Sequence, residues 1–398
     1  MSPGPGVSRT LLPQGFFASG VNSGVRRYRP DLGLIYSETD CVASAVYTLN
    51  QFQAAPILYC RSVLPSQKIR AIVTNSGQAN AATGLRGLED NQKMVAAVAR
   101  ELKCDVGQVL SASTGVIGVP LAVDKIEAAV PELCLRAGNT AESFALAILT
   151  TDLVPKTCTS VIELSEGSVR LTGICKGSGM IHPNMGTMLG YFLTDLKLSP
   201  DLAQEILKTS VDDSFNMISV DGDCSTNDCA FLLANGATGV SLKTDSDLQK
   251  FKEAFTEISE FLAKSIASDG EGATKLIEVH VHGAPEKDLA RRAARSVVIS
   301  PLVKSAMHGE DPNWGRILAR LGAEQVPSEA LMKLKLKLQD FVLFENGLPC
   351  SFDKEEVRKT LRNHEVFIDV DLGLGKESAV AWGCDLTKKY VEINTEYS

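Results

Sequence analysis

The stretch that decides the fold of this chain runs from Lys176 to Asp195 and reads KGSGMIHPNMGTMLGYFLTD. Its first half combines glycines with a proline and an asparagine, residue types that favour turns and loops. Residues 188–194 then form a short apolar run, which is typical of a fully buried β-strand. The sequence therefore predicts a glycine-rich loop that enters a core strand at Thr187.

The Gly186-Thr187 junction permits two interpretations. The simpler one is a loop that enters a strand, with the glycines freeing the backbone to turn or to approach a ligand closely. In the second, the Thr187 hydroxyl attacks the carbonyl of Gly186, and hydrolysis of the resulting ester cuts the chain. The new α-amine, whose ordinary pKa is about 8, could then act as general base for the adjacent hydroxyl.

Outward from this stretch, strand and helix patterns are mixed without a regular βαβ rhythm. Strands are predicted at 32–36, 43–48, 71–74, 161–164 and 169–171, since these runs are rich in apolar and β-branched residues. Apolar residues at helical spacing predict helices at 89–103, 122–136, 138–150, 200–216 and 248–262. This mixture indicates an α+β or layered α/β fold rather than a doubly wound one.

From about residue 276 the order of predicted elements changes to strand, helix, strand. A strand at 277–281, a helix at 285–294 and a strand at 296–300 are predicted there, and residues 390–393 are strand-like. This change suggests a smaller C-terminal α/β unit that begins at about residue 280.

Composition limits the class of protein. The 398 residues correspond to two or three structural units, and the net charge of -8 disfavours non-specific nucleic-acid binding. No uninterrupted apolar window of about 20 residues predicts a membrane span. The 10 cysteines form no CxxC motif, which indicates a reduced protein, and the first residues have no secretory apolar segment. We therefore expect a cytoplasmic protein that binds neither nucleic acid nor membrane.

Two further segments permit both a structural and a chemical interpretation. Residues 111–118, SASTGVIG, are typical of a turn at a strand end, but a backbone N–H and the Thr114 hydroxyl could also face a developing oxyanion. Residues 268–275, SDGEGATK, are typical of a helix C-cap, but Glu271 between two glycines could also bind an ammonium group.

Three other features favour structural roles. Residues 221–228, DGDCSTND, lack the spacing and the final glutamate of an EF-hand loop and predict a structured polar loop. Trp314 lies among turn residues, which favours packing over ligand stacking. His280 and His282 alternate on one strand face without a third ligand nearby, so we expect a surface pair and no metal site.

The stretch from Lys176 to Asp195 resembles the signature of the ornithine acetyltransferase family, the bifunctional glutamate N-acetyltransferases of arginine biosynthesis. The resemblance covers nearly the whole chain, because further motifs follow in the family's order: GFFASGVNSGVR, AVYTLNQFQAAPI, TNSGQANAATG, STGVIG, TTD, DGDCSTNDC, SDGEGATKL, SPLVK, GEDPNWGRI and INTEYS. Gly186 stands where the family usually has alanine, and Gln78 where it often has asparagine.

The resemblance implies a self-cleaving fold of the N-terminal-nucleophile kind, as in ornithine acetyltransferases and DmpA-type aminopeptidases. Cleavage at Gly186-Thr187 would give an α chain of residues 1–186 and a β chain of residues 187–398, assembled as an α2β2 heterotetramer. Thr187 matches the nucleophile, and Thr114 and Gly115 match the oxyanion hole. The implied substrate contacts are Thr150 or Thr151, Lys176, Thr187, Glu271, Asn394 and Ser398.

The implied activity is ping-pong transfer of acetyl from N-acetylornithine to glutamate without a cofactor, with acetyl-CoA as a possible further donor. An aminopeptidase or amidase of the same fold is an alternative, in which water resolves the acyl-enzyme. A binding protein that keeps the fold but does not cleave is a third interpretation. Ornithine release with and without glutamate, and the size of the chain, would separate them.

Overall fold

A computed structural model describes residues 9–182 and 188–396. The chain folds into two compact units. The first unit comprises the described residues of Met1–Gly177, Asn184–Val211 and Cys224–Leu262. The second comprises the described residues of Ser178–Pro183, Asp212–Asp223 and Ala263–Ser398.

Strands and helices are distributed over both units. The strands are β1 (Phe16–Val21), β2 (Leu32–Tyr47), β3 (Ser66–Gln78), β4 (Val109–Val116), β5 (Lys156–Leu164), β6 (Gly167–Lys176), β7 (Leu189–Thr194), β8 (Ile218–Ser219), β9 (Cys229–Ala234), β10 (Leu276–Ala284), β11 (Lys335–Leu338), β12 (Phe341–Glu345), β13 (Leu348–Pro349), β14 (Glu365–Asp371) and β15 (Glu377–Cys384). The helices are α1 (Ala55–Val63), α2 (Gly84–Leu102), α3 (Val123–Leu135), α4 (Glu142–Ala147), α5 (Pro200–Asp213), α6 (Asp245–Ser268), α7 (Lys287–Ile299), α8 (Pro301–His308), α9 (Trp314–Ala323), α10 (Ser328–Lys333), α11 (Lys354–Thr360) and α12 (Lys388–Glu396). Short 3-10 turns occupy Val106–Gln108 and Phe215–Met217.

The sheet of the first unit has the strand order β4-β3-β2-β9-β7-β6-β5, with β1 paired to β2. The 16-residue strand β2 pairs with β3 over its first two thirds and with β9 over its last six residues. The hydroxyls of Thr74 on β3 and Tyr191 on β7 are only 2.8 Å apart. In a flat sheet the three strand spacings between them would amount to about 14 Å. The sheet therefore folds over into two packed layers.

Aromatic side chains pack on both faces of β7. The rings of Phe144, Tyr191 and Phe231 fill the space between the layers, with centroids 4.9 and 5.9 Å apart in successive pairs. Because side chains alternate along a strand, Phe192 points away from Tyr191, and its ring lies 4.5 Å from that of Phe255 on α6. Helices α2 and α3 pack on the β3 and β4 side in a second apolar cluster. This layered arrangement confirms the predicted α/β class.

The second unit has its own sheet, in the order β13-β12-β11-β14-β10-β15-β8. Strand β10 pairs in parallel with β14 and antiparallel with β15, and α7 packs across β10 and β15. The buried side chains of α7 recur at helical spacing, with Leu289, Ala293 and Val297 on one face. Trp314, at the start of α9, packs on Phe344, with ring centroids 5.5 Å apart, so its predicted packing role is confirmed.

Two local predictions are wrong, and two are confirmed in type but with different bounds. Residues 296–300 do not form a strand, because α7 continues to Ile299, with Val297 and Val298 on its buried side. Residues 390–393 lie in α12, not in a strand. The predicted strands 32–36 and 43–48 are one continuous strand, β2, and the predicted helix 138–150 is shortened to Glu142–Ala147. The predicted buried strand at 188–194 is confirmed as β7, in which every residue is buried.

Candidate active site

Three of the predicted site residues, Gly186, Thr187 and Ser398, lie outside the described residues. Strand β7 begins at Leu189, two residues after Thr187 in the chain. Leu189 pairs with Lys176 on β6 in an antiparallel register and with Cys229 on β9 in a parallel register. Lys176 therefore lies beside the strand that Thr187 precedes.

Lys176 and Thr114 come together although their strands are far apart in the sheet. Lys176 Nζ donates a hydrogen bond of 3.2 Å to Thr114 Oγ1. Five strand spacings separate β6 from β4, which would be about 24 Å in a flat sheet, so this contact depends on the folding-over of the layers. Because the ammonium can only donate, the Thr114 hydroxyl acts as its acceptor and keeps its own proton for another acceptor.

The backbone around Thr114 and Gly115 is held closely. Gly115 has φ +128° and pairs with Gly77 on β3, and a Cβ at Gly115 would lie 2.2 Å from the carbonyl carbon of Gly77. Only glycine can occupy this position. Asn227 Nδ2 donates to the carbonyl of Ser113 at 2.9 Å, which gives the predicted polar loop at 221–228 one of its structural roles.

Asp152 is the centre of a buried ionic network that the sequence analysis did not single out. Its carboxylate accepts hydrogen bonds from Lys156 Nζ at 2.8 Å, from the Gly177 N–H at 2.7 Å and from the Thr150 N–H at 3.2 Å. Burial alone would raise the pKa of Asp152, but the charges of Lys176 and Lys156 and the hydrogen bonds from Lys156 and Gly177 lower it from 3.8 to about 2. Thr150 and Thr151 lie in the bend before it, and α4 already ends at Ala147. The available signal was the aspartate that ends the Thr-Thr-Asp motif.

We refer to Thr114, Asp152, Lys156 and Lys176 as the lysine cluster. All four belong to the first unit, and Lys156 and Lys176 are both buried, with 2% and 4% of their surface exposed. Two cations thus share one buried carboxylate. The surplus of positive charge suits a negatively charged group of a ligand.

In the second unit, Glu271 and Asn394 are in direct contact. Asn394 Nδ2 donates to Glu271 Oε2 at 2.7 Å, and the Glu271 N–H donates to the Ser178 carbonyl at 2.9 Å. Gly179 lies against the same carboxylate, since a Cβ there would be 2.2 Å from the Glu271 carboxyl carbon. A side chain at position 179 would displace Glu271.

Asp221 connects the loop before residue 182 with the C-terminal helix. It accepts hydrogen bonds from the N–H groups of Met180 at 2.6 Å and Ile181 at 2.9 Å, and from the Tyr390 hydroxyl at 3.3 Å. Burial raises the pKa of Asp221, and burial together with the charges of Asp221 and Glu271 raises the pKa of Tyr390.

Asp221, Glu271, Tyr390 and Asn394 form what we call the glutamate cluster. Asp221 and Tyr390 were missed as site residues, because the first was assigned to a polar loop and the second to a strand. At helical spacing, Tyr390 and Asn394 share one face of α12, which explains how both reach partners in this cluster.

The histidine and carboxylate side chains do not assemble into a metal site in the described part of the chain. Among residues 9–182 and 188–396, no group of three or more His, Cys, Asp or Glu side chains could hold a metal ion. His280 is partly exposed, and its Nε2 lies 2.6 Å from Glu278 Oε1. No helix in the described part of the chain is long and apolar enough to cross a membrane.

The family model and the curated relatives match nearly the whole chain. A model of the ArgJ family matches residues 17–398. The arginine biosynthesis bifunctional protein ArgJ of Thermotoga neapolitana is 44% identical over 97% of this chain and 99% of its own length. That of Bacillus cereus strain ZK is also 44% identical, over 97% and 96%. The crystal structure of ArgJ from Bacillus halodurans, 39% identical, covers 53% of this chain and all of its own, with a TM-score of 0.51.

The fold and these similarities define the class: the chain is an acyltransferase of arginine biosynthesis. It belongs to the ArgJ family. The family predicted from the sequence motifs is therefore confirmed.

Proposed function

We propose that this protein transfers an acetyl group from N2-acetyl-L-ornithine to L-glutamate, which gives L-ornithine and N-acetyl-L-glutamate. Family membership and the relatives' role in arginine biosynthesis support the proposal. The two half-reactions share one acetyl-enzyme intermediate, an ester on the Thr187 hydroxyl. Because both substrates are amino acids, a single set of groups for the α-carboxylate can serve both.

The nucleophile arises by self-cleavage. The Thr187 hydroxyl attacks the Gly186 carbonyl, the peptide nitrogen leaves as the α-amine of Thr187, and water hydrolyses the ester. The products are an α chain of 186 residues and a β chain of 212 residues, which we expect to assemble as α2β2 in the cytoplasm. The proposed division into two chains therefore falls at the Gly186-Thr187 bond. The β chain would carry the smaller C-terminal unit, which begins at about residue 280.

In the transfer reaction, the free α-amine of Thr187 takes the hydroxyl proton as the oxygen attacks the acetyl carbonyl. The oxyanion that forms accepts hydrogen bonds from the Thr114 hydroxyl and the Gly115 N–H. Ornithine leaves with the proton, and the amine of glutamate then attacks the ester by the same route in reverse. No metal or organic cofactor is needed, and acetyl-CoA could load the same hydroxyl.

The observation that supports this assignment most directly is the 3.2 Å hydrogen bond from Lys176 Nζ to Thr114 Oγ1. It polarises the Thr114 hydroxyl, which makes it a stronger donor to an oxyanion. It also joins Thr114 to the residue that pairs with Leu189, close in sequence to Thr187. An ammonium has three N–H groups, so Lys176 retains donors for the α-carboxylate of a substrate.

The remaining predicted substrate contacts include one charged side chain, Glu271, and several neutral polar ones. Glu271 is suited to the ammonium of ornithine, and Asn394, which already donates to Glu271, keeps its carbonyl oxygen as an acceptor. One of Thr150 and Thr151 and the terminal Ser398 complete the proposed set of substrate contacts.

The proposal is tested in two steps. Intact mass and N-terminal sequencing of the wild type should identify a chain that begins at Thr187, whereas Thr187→Ala should remain a single chain. Thr187→Ser, which keeps a hydroxyl, is the matched control and should cleave. Ornithine release from N-acetylornithine should depend on glutamate. Release without glutamate at an equal rate would indicate an amidase, and cleavage of Thr187→Ala at this bond would contradict self-processing.

A further inference from the structure

A cavity of about 320 Å³ opens between two helices of the second unit, α7 and α9. Its size is at the lower end of the range for small-ligand sites. The polar residues that line it are His182, Arg292, Arg295, Ser296, Arg320 and Glu324. Apart from His182, which lies in the stretch from Lys176 to Asp195, none of them belongs to the sequence motifs or to the glutamate cluster.

The spacing of these residues explains why they meet. Arg292, Arg295 and Ser296 lie at positions i, i+3 and i+4 of α7 and therefore share one face. Arg320 lies in the last turn of α9, and Glu324 follows four residues later, just after the helix ends. The two helices pack against each other, so three guanidinium groups converge on one cavity.

Contacts within the cavity use only part of its donor capacity. Arg320 donates to Glu324 Oε1 at 2.6 Å and to the Ser296 carbonyl at 3.1 Å. Arg292 donates to Asp288 Oδ2 at 2.9 Å and to the Glu324 carbonyl at 3.2 Å. Each guanidinium carries five N–H groups. Among the described residues, no acceptor takes the remaining N–H groups of Arg292 and Arg320.

Positive charge is in excess at this cavity. Three arginines face the single lining carboxylate of Glu324, and Asp288 outside the cavity pairs with Arg292. His182 accepts from Arg295 Nη2 at 3.4 Å. Burial and that guanidinium outweigh the nearby carboxylate of Asp223 and lower the pKa of His182 to about 4, so it is neutral near pH 7. The lining therefore carries more positive than negative charge, which favours an anionic ligand.

We propose that this cavity is a binding site for a phosphate group, carried by a phosphate monoester. A phosphate dianion offers oxygens in several directions, which suits the unused donors of Arg292 on α7 and Arg320 on α9, whereas one carboxylate is matched by a single bidentate arginine. The cavity leaves room beyond the phosphate for an organic substituent, which favours an ester over the free ion.

This proposal is independent of the acetyl transfer proposed above, because its readout is binding. Calorimetric titration of the wild type with phenyl phosphate, at constant ionic strength in chloride buffer at pH 8, should reveal one saturable site per chain. Inorganic phosphate should bind more weakly than the ester. Phthalate, a dianion of different geometry that does not resemble either amino-acid substrate, should bind at least tenfold more weakly than phenyl phosphate.

Variants connect the binding to the cavity. Arg292→Gln, at a side chain that is 46% exposed, should fold normally and weaken phenyl phosphate binding at least tenfold. Arg292→Lys should recover part of the affinity. Arg362→Gln is the matched control, because Arg362 is an exposed arginine of the same unit that pairs with Glu310 outside the cavity, and it should bind as the wild type does.

Several results would overturn the proposal. The first is the absence of saturable binding by either phosphate compound. The second is equal affinity of Arg292→Gln and wild type, and the third is tighter binding of phthalate than of phenyl phosphate. Inorganic phosphate that bound more tightly than phenyl phosphate would contradict the ester.

Discussion

The lysine cluster and the glutamate cluster are built in different ways. The residues of the first are fixed mainly by strand register and a buried ion pair, since Lys176 ends β6 and Asp152 and Lys156 are almost fully buried. The residues of the second are held by side-chain hydrogen bonds from one helix, α12, which ends the described part of the chain. Strand register is part of the fold, so changes in the lysine cluster should affect folding and turnover. The docking of α12 is a local feature. Changes in the glutamate cluster should affect substrate affinity.

The largest effect is expected for Asp152→Asn. This change leaves Lys156, almost fully buried, without its counter-charge, and we expect the free energy of unfolding to fall by about 3 kcal/mol or more. Urea unfolding measures it. Asp288→Asn, whose side chain is 76% exposed, is the control and should lose less than about 1 kcal/mol. Equal losses in the two variants would show that the buried pair is not a stabilising centre.

Thr114→Ala should reduce kcat about a hundredfold, equivalent to about 3 kcal/mol of transition-state stabilisation, with little change in KM. Thr114→Ser keeps the hydroxyl and should retain most of the activity. Because cleavage passes through its own oxyanion, mass spectrometry must first establish that each preparation is cleaved. An unchanged kcat in fully cleaved Thr114→Ala would remove this hydroxyl from the mechanism.

The stability that Asp152 contributes to the folded protein should be lost in acid and should not change near neutral pH. The pKa of Asp152 is lowered from 3.8 to about 2 in the folded protein, so its contribution is complete above about pH 4 and is lost as the pH falls towards 2. The loss should be on the order of 2 kcal/mol. Urea unfolding at a series of pH values measures it. The acid limb should be smaller in Asp152→Asn, and an identical limb in that variant would assign the loss to other groups.

Glu271→Gln should lower kcat/KM for N-acetylornithine about tenfold, about 1.4 kcal/mol, because the amide keeps the size and removes the charge. A chain that ends at Ile393, and so lacks Asn394, should behave similarly. Both should melt as the wild type does. Glu392→Gln, on the same helix but 62% exposed, is the control. Wild-type kcat/KM in both test variants would place ammonium recognition elsewhere.

The smallest effect is expected for Tyr390→Phe. It removes the hydroxyl that donates to Asp221 at 3.3 Å and should lower the free energy of unfolding by about 1 kcal/mol, with kcat unchanged. Tyr28→Phe, at a residue that is 91% exposed, should have no effect on denaturant unfolding. A fall in kcat as large as that of Thr114→Ala would mean that α12 acts in the chemical step, contrary to the difference between the clusters.

Local patterns predicted the local elements well. The apolar run at 188–194 became β7, and the spacing of Phe251, Phe255 and Leu262 became the buried face of α6. In both cases burial decides the element, and burial is visible in the order of apolar residues. The errors fell where β-branched residues lie inside helices. Val297 and Val298 of α7 are buried, and tertiary packing overrides their strand propensity. Val391 of α12 is 59% exposed, so packing does not explain why it is helical.

The candidate site was less accessible to sequence reasoning without the family resemblance. Nothing in the spacing of Thr114 and Lys176 predicts that they touch, since the contact depends on how the sheet folds over. The role of Asp152 depends on two lysines that are close only after β5 and β6 form a hairpin. Long-range register of this kind is a property of the whole sheet and is not encoded in any short motif.

The strand order has a consequence for the proposed two-chain protein. Strands β7 and β9, which follow Thr187 in the sequence, lie side by side, and β2 and β6, which precede it, flank them on either side through six residue pairs each. Two strands of the β chain would thus lie between strands of the α chain in one sheet. Either piece alone would expose open strand edges, which invite aggregation. We therefore expect the enzyme to fold as one precursor before cleavage. Two chains that are produced separately should aggregate rather than assemble into active enzyme.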